Sequence, residues 1–394
     1  MITDAIVVSK PGAPFQYQQL ELHDNLRPDE VLVRIKATGV CRTDLNFSKE
    51  KTMPELFPAV LGHEGAGVVE RTGSNVTRFV KGDHVTVVFS SCGECKYCLR
   101  KQTSYCDLWF QYNLGIGRLD GSKVFSSLST GRPITSHFYG QSSFARHILV
   151  SQSGLVKVDR GLSFEMAAAL GCGVMTGAGA MLNVLDPTSD MTVAVVGVGA
   201  VGLSAIMALK MLETPPRKII AVDIVPARLE LARSFGATHG VNSQVRPELM
   251  KVLWDITNGR GVDGAIDTTG KPQVIQELVH SAARKGKVVT VGVEDVCPWT
   301  SSPFIAQADE NSPPKLSAEP SLNVFEMVNA GCTYIGCNQG DCYPPEFLPR
   351  LLAAHYEGLF PYDQLIKTYS AKDIEKAARD VLSGDTVKAV LLWE

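Results

Sequence analysis

From the start to about residue 160, short runs such as "EVLVRIKATGV", "GAGVVERTG" and "DHVTVVF" are separated by Gly, Pro and Asp. Apolar β-forming runs bounded by such turn residues read as strands, so this part reads as mainly β. At "SFEMAAALGCGVMTGAGAMLNVL" the residues turn small and helix-forming. Beyond it the apolar runs "MTVAVVG", "RKIIAVD", "VDGAID" and "GKVVTVGV" alternate with amphipathic stretches such as "PARLELARSFG". Strands apolar on both faces, spaced by helices, predict a doubly wound parallel sheet in an α/β protein. The segment from about 297 to 320, rich in Pro, Ser and charge, reads as an exposed loop or insertion. After it, "PPEFLPRLLAAHYEGL" and "AKDIEKAARDVLSGD" read as helices and "KAVLLWE" as a last strand.

At 394 residues the chain exceeds one ordinary core, which predicts two domains. A formal charge of -3 and the lack of a Lys/Arg run give no attraction for nucleic acid or an anionic membrane. The N-terminus lacks the pattern of a secretory leader, and no apolar run reads as long enough to span a bilayer, so a cytoplasmic protein is expected. In a reducing compartment clustered cysteines more often bind metal than pair. Of the ten cysteines, Cys297, Cys332, Cys337 and Cys342 read as scattered buried thiols.

Two motifs and one dispersed set carry chemistry. In "VAVVGVGAVGLSA", Gly197, Gly199 and Gly202 form G-x-G-x-x-G between a strand and a helix, and Asp223 ends the next strand. Such glycines let backbone approach a pyrophosphate at the helix N-terminus, and the acid bonds ribose hydroxyls. A carboxylate there repels a 2'-phosphate, which favours NAD(H) over NADP(H). "CGECKYCLRKQTSYC" places Cys92, Cys95, Cys98 and Cys106 in one loop. Four thiolates close a tetrahedron around zinc and leave no open position, the mark of a structural site; disulfides are the alternative. Cys41, His63 with Glu64, and Cys172 each sit in a glycine-flanked turn. Two thiolates and one imidazole leave zinc a fourth position for water or a substrate oxygen.

With these motifs in this order, the chain resembles the zinc-dependent medium-chain alcohol dehydrogenases, with the character of the aryl-alcohol members. The resemblance implies a GroES-like β-rich catalytic domain over 1–174 and 339–394, with a structural zinc lobe at about 91–107. It implies a Rossmann coenzyme domain over 175–338. Cys41, His63 and Cys172 resemble the catalytic zinc ligands, Glu64 a carboxylate beside the metal, and Asp44 the acid that orients the histidine. Thr43 resembles the hydroxyl that takes the alcohol proton. Arg42, Arg228 and Lys388 fall where basic groups meet the coenzyme, and Thr176, Val201 and Val293 where its nicotinamide end is held. Leu45, Phe89, Phe138, Tyr139 and Asn338, with Val293, fall at positions of the alcohol pocket. In many relatives a histidine that passes the proton to solvent stands where this chain has Arg42 or Asn46. The implied activity is reversible hydride transfer between NAD(H) and a primary, aromatic or otherwise apolar alcohol or aldehyde. Two zinc ions per chain and a homodimer or homotetramer are implied with it. A polyol or other secondary-alcohol dehydrogenase is the alternative, although Cys172 stands where a carboxylate would favour it. A zinc-free quinone reductase would lack the cysteine set, and a non-enzymatic zinc- and NAD-binding protein is a further reading.

Overall fold

The computed structural model describes residues 1–51, 53–293 and 320–394, and over these the chain forms two compact units. The first comprises Met1–Cys172, Tyr343–Pro349 and Asp363–Glu394, and the second Gly173–Cys342 and Arg350–Tyr362. The chain changes unit after Cys172 and after Cys342, and residues 350–362 return to the second unit. Within that segment the His355 ring meets Tyr362 at 5.0 Å, and Phe360 and Tyr362 are fully buried. The expected insertion at about 297–320 lies, through residue 319, outside the described residues.

The first unit is built on two sheets. One runs Ala59–Val60, Ile2–Val8, Gln16–Leu22, Phe125–Ser127, Pro133–Ile134 in antiparallel order. The other centres on Glu30–Val40, which pairs with Gly65–Thr72, with His147–Ser151 and with the C-terminal strand Lys388–Leu392. Flanked by all three, the strand Glu30–Val40 is buried along most of both faces, and only Arg34 and Lys36 are half-buried. Its last residue, Val40, delivers Cys41 to the start of the helix Arg42–Phe47.

In the second unit six parallel strands lie in the order His239–Asn242, Lys218–Asp223, Thr192–Val196, Val262–Asp267, Ala282–Thr290, Thr333–Gly336. The strand order reverses beside Thr192–Val196, and such a reversal opens a crevice at the carboxyl ends where dinucleotides bind. Ile220, Val222, Leu253, Leu278 and Val288 form the core between sheet and helices.

A helical run over Phe164–Leu185 corrects one expectation, since its length and mean hydropathy of 1.5 are sufficient to cross a membrane. Its most apolar window is 89% buried, as in the core helix of a packed protein. A wider π turn over Leu170–Val174 interrupts it and carries Cys172. Such turns are frequent at functional sites because they re-aim a side chain.

Candidate active site

Cys41, His63, Glu64 and Cys172 converge in the first unit, each offering a ligand atom within 4.8 Å of the others. Asp44 organises them. Its Oδ1 accepts the His63 Nδ1–H at 2.9 Å and the Gly62 N–H at 3.0 Å, while Oδ2 accepts the Cys41 N–H at 2.9 Å. The carboxylate is fully buried and answered on every side, so it fixes both flanking segments and leaves the proton on Nδ1. His63 Nε2 is then buried with no hydrogen-bond partner among the described residues, as a metal-binding nitrogen requires. A hydrogen bond from Cys172, then the His63 imidazole, hold the Cys41 thiol well below the ordinary range. Burial opposes charge on His63, but Asp44 and Cys41 outweigh it and raise its pKa well above normal. Both effects are the electrostatics of a cluster that attracts positive charge. Two thiolates balance a divalent ion, and this Cys, Cys, His set suits zinc with a position left over.

The register of the sheet accounts for a fifth member. Thr38 pairs with Gly65 and Val40 with Ala389, so the residues before these partners, Glu64 and Lys388, flank the strand end that leads to Cys41. Lys388 Nζ donates to both Glu64 oxygens at 2.7 and 2.8 Å, and both side chains are buried. Lys388 is therefore not a solvated charge, and its ammonium is committed to Glu64 in this structure. Burial raises the Glu64 pKa against the pull of Lys388. Room for the pair depends on Gly39, where a Cβ would stand 1.9 Å from Glu64 Oε2.

The four remaining motif cysteines, Cys92, Cys95, Cys98 and Cys106, also gather within 4.8 Å, and all the described cysteines are free thiols. Backbone N–H groups of Cys92 and Leu108 donate to Cys106 Sγ at 3.3 and 3.4 Å, and that of Cys95 to Cys92 Sγ at 3.3 Å. Burial works against ionisation of Cys95, yet the N–H groups of Asp107, Cys98 and Tyr97 pull its thiol down to about 6. Burial pushes the Cys98 and Cys106 thiols up against the N–H groups that face them, and it is the gathering of four free thiols with N–H groups turned toward sulfur that fits a metal better than disulfides.

Aromatic rings wall the cluster. Tyr139 stacks on His63 at 4.5 Å and 27°, and Phe138 meets the same ring edge-on at 5.8 Å. Phe47 packs against Phe138 at 5.0 Å and Trp109 against Tyr139 at 5.8 Å. Phe89 is buried in the same unit. Leu45 is buried in this unit and lines a groove of about 260 Å³ with Phe15, Ser48, Glu375 and Leu382. Phe47, Trp109 and Gln141 were missed in the sequence. Gln141 donates to His63 O at 3.0 Å and accepts the Gly65 N–H at 3.1 Å, clamping the turn that bears His63 and Glu64.

In the second unit the glycine loop behaves as its motif requires. Gly197 has φ +83°, and a Cβ there would meet Thr268 Oγ1 at 2.4 Å. Beside Gly199 there is open space, and a Cβ on Gly202 would strike Gly197 O at 2.1 Å. Turn, approach and helix packing are thus divided among the three. Asp223 ends its strand and accepts the Val198 and Val225 N–H groups at 2.8 and 2.9 Å, which ties it to the loop. Val201 is half-buried in the first turn of the next helix, and its carbonyl would lie 1.9 Å from a Cβ on Gly177. Gly177 follows Thr176, whose Oγ1 is buried without a partner among the described residues, as is Arg228 Nε. Asn338 is half-buried and Val293 is 65% exposed, both just past strands of this sheet. Arg42 is exposed on the first unit, and Thr43 Oγ1 lies 3.6 Å from Cys41 Sγ.

Comparison with known proteins gives the same picture. The chain matches the alcohol dehydrogenase GroES-like domain over residues 27–160 and the zinc-binding dehydrogenase family over residues 200–309. It is 32% identical to a geraniol dehydrogenase of Castellaniella defragrans, over 99% of this chain and 97% of that one. Two solved structures superpose over the whole chain. One is an alcohol dehydrogenase zinc-binding domain protein from Burkholderia ambifaria (38% identity, TM-score 0.89, 99% of that chain). The other is a benzyl alcohol dehydrogenase from Acinetobacter calcoaceticus (35%, TM-score 0.88, 100% of that chain). With a buried Cys, His, Cys donor set, a glycine loop at a sheet reversal and full-length relatives of this kind, the chain belongs to the zinc-dependent medium-chain alcohol dehydrogenases, oxidoreductases that act on CH–OH groups.

Proposed function

We propose that this enzyme interconverts a primary, aromatic or otherwise apolar alcohol and its aldehyde with NAD(H). The observation that carries the substrate class is the aromatic wall on His63, in which Phe138 and Tyr139 present flat apolar surface beside the metal-binding atoms. The named relatives act on geraniol and on benzyl alcohol, an allylic and a benzylic primary alcohol, which supports the reading. A polyol would leave hydroxyls unanswered against such rings.

In this reading Cys41, His63 and Cys172 hold one zinc ion, and Cys92, Cys95, Cys98 and Cys106 a structural one. Zinc at the first position supplies Lewis acidity that favours ionisation of an alcohol near neutral pH, and bound NAD⁺ supplies the hydride acceptor. Asp44 keeps His63 in the tautomer that presents Nε2. Thr43 Oγ1 would relay the alcohol proton, accepting it as its own hydroxyl proton passes to a coenzyme ribose hydroxyl and then to water, and Glu64, with Lys388, places a buried ion pair behind the ligands. Gly197, Gly199 and Gly202 would admit the pyrophosphate, and Asp223 and Arg228 would meet the adenosine ribose. Thr176, Val201 and Val293 would hold the nicotinamide end.

A homodimer or homotetramer is part of the proposal. The strand Thr333–Gly336 is an edge of its sheet, and the helix Val324–Ala330 exposes Val324, Phe325 and Val328 at 70 to 76%. Among the described residues that edge is unpaired, and an open edge with an apolar patch is typical of a surface that a second subunit covers.

The test is a substrate screen with metal-replete protein, comparing benzylic, allylic, short aliphatic and polyol substrates under NAD⁺ and NADP⁺. Highest kcat/KM with aromatic or allylic primary alcohols and NAD⁺ is expected. A clear preference for polyols would overturn the substrate assignment and leave the family intact.

A further inference from the structure

Tyr139, the ring that lies on His63, sits on backbone that it does not favour. Its φ of 51° and ψ of 38° are left-handed, as is the φ of 62° at His137 two residues before. A non-glycine residue stays in that region only where its surroundings hold it. One face of the ring is against His63, and Trp109 meets it edge-on at 5.8 Å and 88°. Trp109 is itself pinned from two directions. Its N–H donates to Cys106 O at 2.9 Å, at the end of the four-cysteine loop. Its carbonyl accepts Asn113 Nδ2, whose side chain also exchanges hydrogen bonds with both backbone groups of Ser90. The indole Nε1 is buried and bonds to nothing among the described residues, so the ring is located by shape alone. A continuous path of packed groups therefore leads from Cys106 through Trp109 and Tyr139 to His63.

We propose that Trp109 is a positioning residue that selects the alcohol through Tyr139: it fixes the tilt of that ring over His63 and with it the width of the slot beside the metal-binding atoms. The proposal deepens the substrate reading above and rests on it for the choice of benzyl alcohol as probe. Loss of the indole edge frees Tyr139 to leave its left-handed backbone and swing off His63, and the slot then no longer favours a flat substrate over a slim one. Trp109 touches Tyr139 in this account and not the reacting atoms, so its effect disappears when Tyr139 is absent.

The experiment is a double-mutant cycle with Trp109→Leu and Tyr139→Leu, read as the ratio of kcat/KM for benzyl alcohol to that for 1-propanol. Each variant is first matched to wild type in zinc content and circular dichroism. Trp109→Leu is expected to lower the ratio roughly tenfold or more, mainly through KM for benzyl alcohol, and to leave it unchanged in the Tyr139→Leu background. Trp109→Phe, which keeps an aromatic edge, should recover part of the ratio, and it carries the cycle if the leucine variant does not fold. An equal fall in kcat/KM for both alcohols marks a merely structural residue and overturns the proposal. So does the same shift in both backgrounds. If wild type turns over aliphatic alcohols and not benzyl alcohol, the substrate reading fails. The cycle then runs on 1-octanol against ethanol and still decides the role of Trp109.

Discussion

Asp44 Oδ1 stands 2.9 Å from His63 Nδ1, and the same carboxylate gathers the backbone N–H groups of Cys41 and Gly62. One buried acid thus sets a ligand's tautomer and the approach of two chain segments at once. Asp44→Asn keeps the shape but makes one acceptor oxygen a donor. Zinc affinity should fall roughly 10- to 100-fold, the usual cost of removing a partner that orients a metal-bound histidine. Competition with a chromogenic chelator reads it, and unchanged zinc retention would show that His63 is oriented without this carboxylate.

Thr43→Val should remove the proton acceptor while keeping size, slowing turnover roughly 10²- to 10⁴-fold when chemistry is rate-limiting. Arg42 and Asn46 flank it on the same short helix, and neither a guanidinium nor a carboxamide is a base near neutral pH. Asn46→His should therefore raise activity near pH 7 and add a titration to the rate profile at about 6.5, the unperturbed imidazole value. Wild-type turnover in Thr43→Val, with chemistry shown to be limiting, would send the proton by another route.

Coenzyme choice should follow Asp223. Asp223→Gly should narrow the NAD over NADP preference, by removing both the repulsion of a 2'-phosphate and the bonds to ribose. Because Asp223 also accepts the Val198 and Val225 N–H groups, some loss of NAD affinity through the glycine loop should accompany the switch. Coenzyme titrations by fluorescence separate the two effects, and an unaltered preference would place discrimination elsewhere.

Acid should weaken the fold through His137. Burial holds this imidazole down to about 4, against Glu30 and Asp120, which favour its charge, with Arg27 and Arg118 adding to the depression. The folded pKa lies below the unfolded one, so the unfolded chain binds more protons as pH falls from about 6.5 toward 4. Stability is full above that window and lost within it, by roughly 2 kcal/mol at pH 5 for this one group. His137→Gln should flatten the difference between urea midpoints at pH 7 and pH 5. An equal acid loss in the variant would assign it to other groups.

What the sequence made legible was whatever chemistry is local. The strand, glycine turn and helix around Gly197 are consecutive, and the cysteines from Cys92 to Cys106 share one loop, so spacing alone declares both. For Cys41, His63 and Cys172 the donor types and glycine-flanked turns suggested a set, and the resemblance made it specific, because their turns are joined by sheet register. Lys388 and Glu64 are 324 positions apart, and nothing near either one announces the other. The Tyr139 wall was half legible: aromatic residues could be named, but the left-handed backbone that lays one ring on His63 is imposed by tertiary contacts. The helix Phe164–Leu185 went the other way, since apolar length is shared by core helices and spans, and only packing tells them apart.

The strand Lys388–Leu392 completes the sheet beside Cys41, yet Lys388 lies 324 positions beyond Glu64. During synthesis the ligand-bearing segments emerge first, the coenzyme unit follows, and Glu64 waits for its lysine until both have passed. Domains generally fold as they emerge, but this one cannot close from its own N-terminal portion. A nascent chain stalled before residue 388 should therefore hold a formed nucleotide-binding block attached to an unfinished partner with an exposed edge at Val40. Termination before residue 388 would leave the buried Glu64 without its ammonium beside the metal-binding set.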